Sequence, residues 1–169
     1  RLGQAAVYHG AAELAERAIH ECEIAASLEP EWGRPKNEIG VILSNMGRFD
    51  EAESVFAAAA PLNEEWHQHH LNRGQNLMWL GRYDDAIACL DKSKELDPTD
   101  LRATEAKGIC LLAHGKRQKG KPLLREVARR TGRDWLTSDR WKQVADGPNI
   151  NVEMAHPVMG AWKSTRDDE

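Results

Sequence analysis

The string WHQHH at residues 66–70 sets His67 and His70 three apart, beside Glu64 and Glu65. Imidazoles and carboxylates one helical turn apart are the raw material of a metal site or of acid–base catalysis. The pattern falls short of both: there is no HExxH run, and a zinc site needs three or four converging ligands. His67 and His70 are therefore read as solvated or partner-facing side chains at a helix start, and no metal is assigned. His20 and Cys22, two residues apart, point to different faces of a helix. Cys22, Cys89 and Cys110 are odd in number, widely spaced and free of any CxxC pair, which reads as buried thiols in a reducing compartment, the cytoplasm. No GxGxxG, GxxxxGK or GxSxG string marks a nucleotide pocket or an activated serine. No catalytic residue and no cofactor is expected, and the chain is not read as an enzyme.

Charge is distributed along the chain more tellingly than the net −4 suggests. Between Ala11 and Trp66 there are twelve acids against four bases, whereas Lys116 to Arg133 holds eight bases against Glu126 alone. Such a basic run, with Trp135 and Trp141 nearby for stacking, is one way to meet nucleic acid. A solvated helix face is the commoner reason for it, so nucleic acid is not expected. No apolar run nears the roughly 18–20 residues that span a bilayer, so no membrane partner is expected either. Arg1 is not Met, which leaves open a longer parent protein with a targeting segment ahead of it.

The elements that hold these residues follow from a repeat. GRFDEAESVF at residues 47–56 returns thirty-four residues later as GRYDDAIACL at residues 81–90. Windows of thirty-four from residue 33 align without a gap: Gly40, Gly74 and Gly108 coincide, then Leu43, Leu77 and Leu111, then Gly47, Gly81 and Gly115. Each window carries two stretches of about twelve residues with apolar positions three or four apart, separated by a Gly turn, which predicts a helix-turn-helix unit. The first Gly falls mid-helix, where it costs roughly 0.5–1 kcal/mol against Ala, so its recurrence implies close approach by a neighbouring helix. The second suits a turn with positive φ. Residues 1–32 are expected to form a further unit, turning at Gly10, with SLEP echoing ELDP two windows on. In the window 101–134, Gly120 and Pro122 predict a late start for the second helix. Residues 135–169 do not repeat and are expected to supply a capping helix and a tail, covering the apolar face of the last unit.

These residues resemble the tetratricopeptide repeat family: a thirty-four-residue helix pair with Leu-Gly in the first helix, a Gly-aromatic turn, Ala-x-x-x-aromatic in the second and a closing Asp-Pro. The window 67–100, with GRYDDAI and ELDP, carries the resemblance best, and it extends over residues 1–134; the window 33–66 lacks the final Pro. The resemblance implies an all-α fold, a right-handed α-solenoid of about four helix-turn-helix repeats (units 1–32, 33–66, 67–100 and 101–134) with a C-terminal capping helix. It also implies a concave groove lined by the first helices. Carried over residue by residue, the groove holds Asn37, Val41 and Asn45, then Asn72, Gln75, Met78 and Trp79, then Arg102 and Glu105, with Gln4 and Tyr8 at one end. Asn and Gln amides both donate to and accept from an extended peptide backbone, and Trp79 and Met78 offer apolar contact. The clamp that some family members use for a terminal carboxylate is not expected, because its places hold Asn37, Val41 and Glu105.

The expected function is a protein-interaction scaffold that binds a peptide or partner protein in that groove. The alternative is a homo-oligomer, a scaffold assembling from copies joined through acidic and basic ends.

Overall fold

The computed structural model describes the backbone of residues 2–132 and the side chains of residues 12–132. The expected capping helix, with Trp135 and Trp141, and the basic residue Arg133 lie outside the described residues.

Seven α-helices follow one another in this part of the chain: α1 (Leu2–Leu28), α2 (Arg34–Asn45), α3 (Phe49–Ala59), α4 (His67–Trp79), α5 (Tyr83–Leu96), α6 (Leu101–Ala113) and α7 (Arg117–Thr131). A short 3-10 turn, Ala60–Leu62, follows α3. The described residues contain no strand. Helices α2 to α7 form three antiparallel-type pairs, one in each of the windows from residue 33, and the architecture is an all-α solenoid.

Each pair turns in the same way. Gly47, Gly81 and Gly115 sit at φ 75°, 74° and 78°, the left-handed region open to Gly at no steric cost. Around Gly47 the amide of Arg48 donates to the Leu43 carbonyl and that of Gly47 to Ser44, and the same two bonds recur at Gly81 and Gly115. These close the carbonyls that a helix end would otherwise leave unpaired.

The mid-helix glycines mark where the two helices of a pair touch. A Cβ on Gly40 would lie 2.7 Å from the Phe56 ring, one on Gly74 2.8 Å from Leu90 and one on Gly108 2.7 Å from Leu124. Phe56, Leu90 and Leu124 occupy one aligned position of the second helix, and all three are fully buried. Ala52 and Ala86, one turn earlier, are also fully buried.

Two expectations are corrected. Residues 2–28 form one unbroken helix, with no turn at Gly10. Gly10 is followed by AAELAE, strong helix formers, whereas each true turn glycine is followed by Arg or Lys. Helix α7, in turn, does not start late: it begins at Arg117, aligned with Tyr83, and carries Pro122 inside it. Gly120 is the reason the crossing fits, since a Cβ there would lie 2.7 Å from the Gly108 carbonyl oxygen.

The window without a final Pro closes by another device. Asn63 is buried, and its amide donates to the carbonyls of Gly33 and Ala59, both at 3.0 Å. Buried apolar residues fall into two clusters. One joins Ile19, Ile39, Leu43, Ala52 and Phe56 across α1–α3, and the other runs from Leu71 to Ala128 across α4–α7.

Candidate binding groove

Helix α2 carries Val41, Ser44 and Asn45 on one side, at i, i+3 and i+4, and α4 carries Asn72, Gln75, Met78 and Trp79 at the matching spacing. Between them lies a cavity of about 90 Å³, floored by Phe56 of α3. Trp79 stacks on Phe49, with ring centroids 5.9 Å apart. Six of the residues expected to line the groove therefore border one cavity: Val41, Asn45, Asn72, Gln75, Met78 and Trp79.

The other three do not border it. Asn37 is fully buried, and the expectation that it faces a partner is corrected. Its Oδ1 lies 3.3 Å from His69 Nδ1 and 3.5 Å from Asn72 Nδ2, so its amide ties α2 to α4. Arg102 donates to Asp100 and, at 2.7 Å, to Gln68 Oε1. Glu105 of α6 is half-buried outside the cavity. The side chains of Gln4 and Tyr8 lie outside the described residues.

A continuous line of side-chain bonds links the first helices of the three pairs. Arg102 reaches Gln68, Gln68 Nε2 donates to Asn72 Oδ1 at 2.8 Å, and Asn72 Nδ2 points to Asn37. The chain of bonds fixes which way the Asn72 amide faces. Asn45 and Gln75 make no side-chain hydrogen bond among the described residues, so their amides are the ones open to a ligand backbone.

The histidines of WHQHH divide among three roles that the sequence left undivided. His69 is fully buried; burial first, then the positive charge of His70 and Arg73, pushes its pKa down to about 4. It stays neutral, with its Nδ1 proton directed at Asn37. His70 Nε2 donates to the Glu64 carbonyl at 2.8 Å. His67 lies between Asp100, at 3.6 Å, and Asp97, at 3.8 Å. Among the described residues no group of three or more His, Cys, Asp or Glu side chains could hold a metal ion. Burial raises the Cys89 thiol and pushes Cys110 up to about 12, which keeps both protonated at neutral pH.

Cross-pair contacts repeat with the same period. Asn76 Nδ2 donates to the Phe49 carbonyl at 2.9 Å, and thirty-four residues on the Cys110 thiol donates to the Tyr83 carbonyl at 3.6 Å. Turn cations reach back in the same way, Arg48 to Glu16 at 2.7 Å and Lys116 to Asp84 at 3.0 Å.

Paired helices stacked at a fixed period, each bonded to the next through equivalent residues, define a helical-repeat solenoid. Profiles described as tetratricopeptide repeat match residues 34–65 and 70–100, so the chain contains tetratricopeptide repeats. No curated protein matches the sequence significantly. Among solved structures, a double mutant of MamA from RS-1 is similar over 92% of this chain and 88% of its own, with a TM-score of 0.67 and 17% identity. YrrB, a tetratricopeptide protein described as having an unusual peptide-binding site, is similar over 71% of this chain and 62% of its own (TM-score 0.59, 21% identity). An O-GlcNAc transferase variant of Thermobaculum terrenum is similar over 75% of this chain and 26% of its own (TM-score 0.62, 20% identity). At these identities the likeness is one of fold, and it carries no argument for catalysis here. Tetratricopeptide repeats build protein-interaction scaffolds, and this chain is a scaffold of that general kind.

Proposed function

We propose that the chain binds an extended peptide segment of a partner protein across α2 and α4, seating one apolar side chain between Val41, Met78 and Trp79. The observation that carries this reading is the cavity itself, with apolar walls and two uncommitted amides, Asn45 and Gln75, at its edge. An apolar side chain supplies the favourable burial, and the amides fix the direction of the backbone. The cavity lining holds no cation, so a terminal carboxylate gains nothing there.

Panning a random peptide display library against the protein tests this. Enriched peptides should share one apolar anchor and bind at least about tenfold more weakly to a Gln75→Ala, Trp79→Ala double variant of unchanged helicity, the loss expected when a buried aromatic anchor is removed. Equal binding to the variant would refute the groove as the site.

A second reading, assembly of copies end to end, draws on a different surface. Leu14, Ile24, Leu28 and Trp32 are the large apolar residues left exposed among the described residues, and they lie among Glu13, Glu16, Glu21 and Glu31. Exposed apolar area flanked by acids suits a basic partner surface such as α7. In that arrangement the mass measured by sedimentation rises with protein concentration and falls with salt. No helix of the described residues is long and apolar enough to cross a membrane.

A further inference from the structure

The repeat provides its own comparison, because equivalent positions at successive junctions can be set side by side. At the junction of α3, α4 and α5, Glu53 is buried between two cations: Arg73 Nη2 lies 2.7 Å and Arg82 Nη1 3.8 Å from its Oε1. Arg82 also holds Asp85 at 2.7 Å. Charges and partners balance there.

Thirty-four residues on, at the junction of α5, α6 and α7, the cations persist and the anion is gone. Lys107 stands where Arg73 stood and Lys116 where Arg82 stood, but Ile87 replaces Glu53 and Lys119 replaces the acid Asp85. Instead of a closed ion cluster this junction holds a cavity of about 370 Å³, walled by Lys107, Lys116, Lys119 and one acid, Asp84, and floored by Ile87, Leu111 and Leu123.

The lysines have taken substitutes on the rim. Lys107 pairs with Asp91, which is 50% exposed, and Lys116 with Asp84, which is 78% exposed, against 11% for Glu53. Lys119 makes no ion pair among the described residues. Exposed pairs of this kind are screened by water and contribute little, so they yield readily to a carboxylate that enters a less solvated place.

We propose that this cavity is a second docking site, separate from the groove between α2 and α4. Its occupant is a segment of a partner protein that presents a carboxylate beside an apolar side chain. The carboxylate sits over Ile87, the residue at the Glu53 position, between Lys107 and Lys116, the counterparts of Arg73 and Arg82, with Lys119 alongside. The apolar neighbour covers Leu111 and Leu123. Three cations against the single carboxylate of Asp84, above an apolar floor, select this chemistry over a neutral or basic segment.

The experiment uses an acetylated, amidated synthetic peptide of alternating Leu and Glu pairs, with a Gln-for-Glu copy as control, titrated against the whole chain by calorimetry at two salt concentrations. Binding should be seen with the Glu peptide, weaken with salt, and fall by about tenfold or more with the Gln copy. Ile87→Glu supplies the missing carboxylate from within and should abolish binding while keeping the fold. Lys119→Glu, an exposed position, should abolish it as well, which keeps the test decisive if Ile87→Glu unfolds. The groove variant Gln75→Ala, Trp79→Ala should bind the Glu peptide as the unaltered chain does. Failure of the Glu peptide to bind, or binding undiminished in Lys119→Glu, overturns the proposal. Self-association that Lys119→Glu removes overturns it in favour of a second copy as the occupant.

Discussion

His69 shows how one buried ring makes stability depend on pH. Its pKa of about 4 in the fold compares with 6.5 for a solvated imidazole, and burial is the first cause. Below 6.5 the unfolded chain takes up a proton that the folded chain refuses. Stability from this site is therefore complete above pH 6.5 and declines as pH falls toward 4, by at most about 3 kcal/mol. The thermal midpoint of the native protein should fall more steeply over that window than that of His69→Gln; parallel curves would remove His69 as the cause. Little of this was legible beforehand. In WHQHH the three histidines differ only in which neighbour arrives, and it is Asn37 of the previous unit that makes His69 internal. Asn37 itself was misplaced for the same reason: its position on α2 suits the groove, yet α4 covers it.

At the scale of the helix, the glycine pattern was legible because it repeats and because only Gly satisfies it. Adding a methyl at Gly74 gains about 1 kcal/mol of helix propensity, but the new Cβ meets Leu90 at 2.8 Å and the Ala86 carbonyl at 3.2 Å. Overpacking of this kind costs roughly 1–3 kcal/mol and wins. Gly74→Ala should lower stability in urea, and with Leu90→Ala the two losses should sum to less than their separate values, since the smaller side chain leaves room for the methyl. Strict additivity would show that the two residues do not meet. Helix α1 was not legible at this scale. Gly10 sits at the right interval for a turn, but what makes the turn is the left-handed glycine together with the cation that follows it, and Ala11 is no cation. The cavity behind Lys107 and Lys119 was hidden differently: every residue of it was in view, but its emptiness shows only once Ile87 is set against Glu53.

Across the whole molecule, the two apolar clusters meet at a polar seam. Between α1–α3 and α4–α7 run the Asn76 bond to Phe49, the Arg73–Glu53 ion pair, the Asn37–His69 contact and the Phe49–Trp79 stack. Among the described residues the first cluster buries five apolar residues and the second thirteen, so the two sides differ in what holds them. Solenoid stability is a sum over units and their junctions, which permits one part to open before the rest. Amide hydrogen exchange should release α1–α3 at lower free energy than α4–α7. A single opening energy for all seven helices would mean that the seam transmits cooperativity as fully as an apolar core.

The gapless period has a further consequence for how such a chain changes length. Because Gly40, Gly74 and Gly108 each sit over an equivalent partner, gaining or losing thirty-four residues leaves every crossing in register. Geometry is indifferent to the event, and chemistry is not. Removing residues 67–100 would bring Glu53 against Lys107 and Lys116, closing in one step a site that the present order of units leaves open. Duplication and loss thus act on this molecule as edits of its surface, written in whole units that keep its helix crossings in register.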